Sequence, residues 1–342
     1  MNSEHITTTV IGSMPKPVWL VPEDNIRLWR LSGGLLAEAQ DDATRLAIRD
    51  QELAGVEVIS DGEQRRMYYM SRFISALSGV SAERSNLANV SENTCDDAKP
   101  RVVGPLGRKE AFSIQDLMFL KAHTHRRTKI TLPGPMTVVK VMQDEHYRDE
   151  RAFALAVAAV LREEVSDLQN AGCDVIQLDE AFAIYHPQDF QAWGREALDA
   201  ALEGIQATTC VHFCFGYRPA SEHPPERDPE LVAQFRSILP EIAACRAKQL
   251  AFECAGSKIG PKMLSILPPG KQVIYGVVNN ACTIVEDPVD IATRLREARD
   301  VLGPGRLWAA PDCGLVWLPA RVARAKLKAL VLGARLASLL NT

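Results

Sequence analysis

The sequence predicts an α/β fold, a (β/α)8 TIM barrel in which residues 1–342 form a single domain. Two observations carry that expectation. Eight short β-like runs alternate with longer runs of helical periodicity, which is the pattern of parallel βαβ units. The runs also end in polar residues, and a barrel of this kind does its chemistry at the C-terminal ends of its strands. A doubly wound open sheet is the alternative arrangement of the same units.

Taken in order, the β-branched run TTTVI makes the first strand, 7–11, and stops at Gly12-Ser13. An amphipathic stretch over 35–54 leads to the second, 57–60, which ends in Asp61-Gly62-Glu63. The third, 129–132, runs into Pro133-Gly134-Pro135 and helical patterns at 137–142 and 150–171. The fourth, 175–178, is followed by Asp179-Glu180 and a helical pattern over 189–206. The fifth, 209–213, ends in His212-Phe213-Cys214, and the proline-rich stretch from Pro219 to Pro229 reads as the loop after it. Helical patterns at 229–247, 257–266, 288–302 and 319–340 accompany the last three strands, 250–253, 273–277 and 307–310. These end in Glu253-Cys254, Asn279-Asn280 and Asp312-Cys313-Gly314. Segment 64–127 breaks the rhythm and reads as an insertion after strand two, with a polar surface excursion and VVGPLGR as a hairpin turn.

Charge and composition narrow the function. With 39 Lys and Arg against 43 Asp and Glu the net charge is −4, so nothing favours a nucleic-acid partner. A hydrophobic fraction of 46% and a charged fraction of 24% are those of an ordinary globular protein, which excludes disordered, collagen-like and coiled-coil readings. No run approaches the ~20 apolar residues of a membrane span. The start, MNSEHITTTVIGS, lacks a basic segment followed by an apolar one, so the expected location is the cytoplasm, with no membrane partner. In that compartment the eight cysteines are thiols, and Cys95, Cys173 and Cys245 read as small buried hydrophobes.

His212 and Cys214 point to one side of a regular strand, with Cα atoms about 6.6 Å apart, close enough to share a metal ion. Imidazole and thiolate suit zinc, and a catalytic zinc keeps three protein ligands and an exchangeable position. Glu253 and Cys313, at the ends of strands six and eight, are candidates to complete the set. Cys210, Cys254 and Cys282 compete for the thiolate role. Alternation puts Cys210 on the face of His212 and Cys214 but deeper, and turns Cys254 away from Glu253.

Read together, IGSMPKP, SDGEQRR, LPGPMT, QLDEA, HFC, FEC and PDCGL resemble, in order, the motifs of the C-terminal catalytic half of cobalamin-independent methionine synthase. The resemblance implies the barrel type that this family shares with uroporphyrinogen decarboxylase. It implies zinc held by His212, Cys214, Glu253 and Cys313, and a homocysteine thiol that becomes the nucleophilic thiolate. It also implies that Ser13, Glu63 and Asp179 hold the amino-acid part of homocysteine, with Glu63 and Asp179 as the catalytic carboxylates. The chain has length for one barrel, like the short core forms of the family. Where the long enzymes carry a histidine after strand seven, the sequence reads GVVNNACT, placing Ala281 or a neighbour there. The methyl donor is therefore left open between a folate and a methyl-corrinoid protein. His186 is the candidate proton donor, and Tyr185, Tyr217 and Trp317 are candidate walls of the pocket. The alternatives are an alkyltransferase acting on another thiol, such as epoxyalkane:coenzyme M transferase with Arg65 and Arg66 at the sulfonate, and a non-catalytic zinc-binding barrel.

Overall fold

The computed structural model describes residues 5–22, 26–81, 99–216 and 220–339. In chain order its strands are β1 (Thr7–Thr8), β2 (Val58–Ser60), β3 (Leu77–Val80), β4 (Arg101–Arg108), β5 (Arg127–Pro133) and β6 (Gln143–Asp144), then β7 (Val175–Asp179), β8 (Thr208–Phe213), β9 (Gln249–Phe252), β10 (Gln272–Val278) and β11 (Leu307–Pro311). The helices are α1 (Gly33–Ala54), α2 (Ser71–Ser75), α3 (Ile114–Ala122), α4 (Pro135–Val141) and α5 (Glu150–Asn170), then α6 (Pro187–Asp189), α7 (Arg195–Ala201), α8 (Pro229–Ala244), α9 (Pro288–Leu302) and α10 (Ala320–Leu339).

Eight strands form one parallel sheet in the order β1-β11-β10-β9-β8-β7-β5-β2. Its two ends meet: Thr9 bridges Val58 in parallel, and the Thr9 hydroxyl donates to the Val58 carbonyl at 2.9 Å. The sheet is thus a barrel and not the open, doubly wound alternative. Side chains of Val58, Val175, Cys210, Ala251, Ile274 and Trp308 fill its interior, and the main core lies between the strands and the surrounding helices. None of the described helices is long and apolar enough to cross a membrane.

The sequence places all eight barrel strands, with differences at the edges. The first is shorter than expected. Beyond Thr9 the Val10 and Ile11 carbonyls take side-chain donors, Lys129 Nζ at 2.8 Å and Gln177 Nε2 at 2.9 Å, in place of a neighbouring strand. The stretch 257–266 is not an α-helix but a short 3-10 turn, Pro261–Ile266, because Gly260-Pro261 starts it and Pro268-Pro269 follows. The helical pattern 189–206 is realised as α6 and α7 joined by a π turn over Phe190–Gly194.

Between β2 and β5 lie α2, β3, β4 and α3, where the insertion was expected. VVGPLGR is not a turn: it lies within the strand β4, antiparallel to β3 and parallel to β6. The register slips between Ser78 and Val80, leaving a bulge that accommodates Pro105, which has no N–H for a ladder. Gly79, at φ +78°, lies so close to the Gly104 and Pro105 carbonyls that no Cβ would fit. The polar excursion over 82–98, with Cys95, lies outside the described residues, as do Tyr217 and Pro219.

Candidate metal and thiol site

Every polar group singled out on the rim sits at the C-terminal mouth of the barrel, because all eight strands run the same way. His212 and Cys214, at the end of β8, meet Cys313 from the end of β11. Their ligand atoms lie within 4.8 Å of one another, and all three residues are buried. The Cys313 thiol donates to Cys214 Sγ at 3.8 Å. That hydrogen bond lowers the Cys214 pKa against the effect of burial, with the His212 charge assisting, and holds the Cys313 thiol well above its usual value. Burial alone would lower His212, but the Cys214 charge and the Asp179 hydrogen bond raise it to about 9. Two sulfurs and an imidazole converging in a buried pocket are a donor set that fits zinc.

Glu253 reaches the same rim but not the trio. Arg227 grips its carboxylate as a fork, Nε to Oε1 at 2.8 Å and a terminal nitrogen to Oε2 at 2.9 Å, and the Phe215 N–H donates to Oε2 at 3.0 Å. The same arginine donates to the Phe215 and Gly216 carbonyls, pinning the segment just after Cys214. Nothing in the sequence marks Arg227; it lies in the proline-rich loop and finds its partner only through the closed barrel. Cys210 and Cys254 are as alternation predicts, and Cys282 lies in the loop after β10. Cys210 is deeper in the barrel, its thiol pushed up to about 12 by burial, Cys254 packs into the outer core, and Cys282 donates to the Glu222 carbonyl.

Beside the trio a cavity of about 50 Å³ is lined by Ser13, Glu63, Tyr68, Tyr69, Asp179 and Phe182. By that measure it has room for about four waters, the scale of a small amino acid. Glu63 follows Gly62, and both are left-handed, at φ +56° and +66°. For a non-glycine residue this costs about 1–2 kcal/mol. The turn aims the Glu63 carboxylate inward, where Oε1 accepts from the Thr131 hydroxyl at 2.8 Å, with Arg66 at 3.7 Å. Burial raises its pKa, and the Asp179 and Asp61 charges add to that. Asp179 Oδ1 accepts from Gln177 Nε2 at 2.7 Å and lies 3.1 Å from His212 Nδ1, so Asp179 touches both the cavity and the metal trio. The Ser13 carbonyl accepts from the Leu315 N–H at 2.7 Å, tying the mouth of β1 to the segment after Cys313.

Other expected residues lie elsewhere. His186 is not at the cavity: it caps the start of α6, stacks on Phe182 at 6.1 Å and faces Asp189 at 3.9 Å. The helix start carries it outward. Tyr185 donates to the Phe215 carbonyl, and Trp317 lines adjoining clefts. The walls come instead from Tyr68 and Tyr69, in the RRMYYM run over 65–70, just past Glu63 and Gln64. Arg65 turns away to Asp41, at 2.5 Å, and stacks on Phe119, which removes it from any sulfonate.

Glu180, next to Asp179, is buried and caps α4: it accepts from the Met136 and Thr137 N–H groups and the Thr137 hydroxyl at 2.9–3.0 Å. Burial, only partly offset by those bonds, raises its pKa to about 7. A raised acid favours the fold most below its unfolded pKa, and that stability is lost as pH rises through about 7. Urea unfolding at pH 5.5 and 7.5 should therefore show a fall in stability with pH that is smaller in Glu180→Gln. An identical fall in the variant would mean that Glu180 is ionised throughout.

A family model described as the cobalamin-independent synthase catalytic domain matches residues 6–221 and 229–336. The chain belongs to the cobalamin-independent synthase family. The chain is 28% identical over 335 residues to the methionine synthase of Saccharolobus solfataricus, covering 96% of this chain and 94% of that one. It is 28% identical over 341 residues to the methionine synthase of Sulfurisphaera tokodaii, covering 97% and 92%. Among solved structures, the B12-independent methionine synthase from Shewanella sp. W3-18-1, in complex with selenomethionine, superposes with a TM-score of 0.84 and 30% identity over 97% of each chain. The chain is accordingly a methyltransferase of the methionine synthase type.

Proposed function

We propose that this chain transfers a methyl group to the thiolate of homocysteine to give methionine, working as a single barrel with 64–127 inserted after its second strand. The observation that carries this reading is the juxtaposition of the His212, Cys214 and Cys313 trio with a cavity whose walls include two carboxylates. The Shewanella relative is in complex with selenomethionine, an analogue of the expected product.

His212, Cys214 and Cys313 would hold a zinc ion, with Glu253 as a fourth ligand if it leaves Arg227. The ion supplies the acidification that makes a bound thiol a thiolate near neutral pH. Glu63 and Asp179 attract the ammonium group of the amino acid, and the backbone and hydroxyl around Ser13 suit its carboxylate. Tyr68, Tyr69 and Phe182 keep water from the sulfur. In the transfer the sulfur–methyl bond forms as the donor–methyl bond breaks, and the donor's leaving atom takes the electron pair. His186 does not line the cavity but stacks on Phe182, which does, so the proton-donor role is not assigned to it.

Of the two donor classes, the family's cobalamin-independent description speaks for a methyl-folate over a methyl-corrinoid protein. The test supplies the zinc-loaded protein with homocysteine and either a methyl-folate or free methylcobalamin. Methionine formed from the folate is expected. Methionine from methylcobalamin alone would reverse the donor assignment, and turnover of coenzyme M but not homocysteine would overturn the thiol.

A further inference from the structure

Directly beneath the cavity, two buried polar side chains stand in the barrel interior with no part in binding substrate. Lys129 and Gln177 are both fully buried. Lys129 Nζ donates to the Val10 carbonyl at 2.8 Å and to Gln177 Oε1 at 3.0 Å. Gln177 Nε2 donates to the Ile11 carbonyl at 2.9 Å and to Asp179 Oδ1 at 2.7 Å. Asp179 Oδ1 in turn faces His212 Nδ1 at 3.1 Å, while His212 Nε2 lies 3.1 Å from the Asp312 carbonyl, next to Cys313.

We propose that Lys129 and Gln177 are positioning residues that fix the ligand orientation of His212 through Asp179. The argument is one of hydrogen-bond direction. Burial lowers the Lys129 pKa, but its Nζ donates to both the Val10 carbonyl and Gln177 Oε1, so the amide oxygen of Gln177 faces down toward it. The amide nitrogen must then face up, and both of its N–H groups are used, on Ile11 and Asp179. A flipped amide would set its NH2 against the lysine and its oxygen against two acceptors. Asp179 thereby receives a donor from below and is left to accept from Nδ1 of His212, which turns Nε2 toward the β11 end of the trio. A carboxylate behind a ligating histidine commonly fixes its ring in this way. Here the carboxylate is itself oriented by an amide, and the amide by a lysine Nζ in the barrel interior. The inference rests on the metal reading of the His212, Cys214 and Cys313 trio.

Two variants test it on the full chain. Gln177→Glu keeps an acceptor for Lys129 but loses the donor to Asp179. Lys129→Met removes the donor to the amide oxygen; it also leaves the Val10 carbonyl without that donor, so some loss of stability is expected and is read separately by thermal unfolding. Co2+ affinity by chelator competition, with the Co2+ absorption spectrum, is read alongside thermal unfolding of each protein. The expected result is an affinity about ten- to a hundredfold weaker in Gln177→Glu, with an altered Co2+ spectrum, and a smaller loss in Lys129→Met. The double variant should be no weaker than Gln177→Glu alone, because the lysine acts through the glutamine. If Gln177→Glu does not fold, Lys129→Met decides. Folded variants that bind Co2+ with the parent's affinity and spectrum would overturn the inference even if they melt earlier. A parent that binds no Co2+ would overturn the metal reading and the inference with it.

Discussion

Cys313→Ser should leave the barrel folded, weaken zinc binding by more than about a hundredfold and abolish methyl transfer in parallel. The size follows from comparison: loss of a residue that merely orients a ligand costs about ten- to a hundredfold, and Cys313 is itself one of three converging donors. A serine hydroxyl neither ionises near neutral pH nor matches the softness of sulfur toward zinc. Cys254→Ser is the control, since Cys254 is buried in the outer core and faces away from the trio. Zinc content after dialysis against a competing chelator checks both variants. Stoichiometric zinc in Cys313→Ser would remove that residue from the ligand set.

Glu63→Gln should raise the KM for homocysteine about ten- to a hundredfold while zinc stays bound, since a hydrogen bond to a charged group contributes about 1.5–3 kcal/mol. Gly12→Ala should do the same without altering any charge. A Cβ on Gly12 would lie 2.5 Å from Glu63 Oε1 and 3.1 Å from a Thr131 methyl, so the carboxylate must move. Steady-state kinetics against homocysteine, with zinc content measured on the same samples, checks the pair. Lost zinc in either variant would assign Glu63 to the metal and not to the amino acid. Asp179→Asn separates less cleanly than the sequence suggests. Its carboxylate also holds His212, so both KM and metal affinity should change.

The sequence made the barrel legible because each strand is a short apolar run with its chemistry at one end, and parallel topology brings those ends together. HFC and PDCGL lead to His212, Cys214 and Cys313 for the same reason. What stayed hidden is contact across the closed barrel. Arg227 meets Glu253 from another loop, Gln177 meets Asp179 on the inner face of one strand, and Tyr68 and Tyr69 wall the cavity from a run without periodicity. His186 misled because nearness to a strand end in sequence does not give the direction of the helix that follows. VVGPLGR misled because proline and glycine in an irregular strand carry the same local signal as a turn.

Three glycines at or near the mouth share one relation. Gly12 lies against Glu63, Gly134 against Glu180 and Gly276 against Asp312, and in each case a Cβ would come within 2.5 Å of the acid side chain. Each acid is thus wedged from behind by bare backbone. Gly12–Glu63 and Gly134–Glu180 should drift as two linked couples in any evolving lineage, since a methyl group gained on the glycine calls for the acid opposite to move, shorten or leave, whereas Gly276 is also closed by the Phe252 carbonyl at 2.6 Å and stays glycine whatever the acid does. Reshaping the mouth toward a new substrate therefore calls for paired steps, with single changes passing through a jammed intermediate.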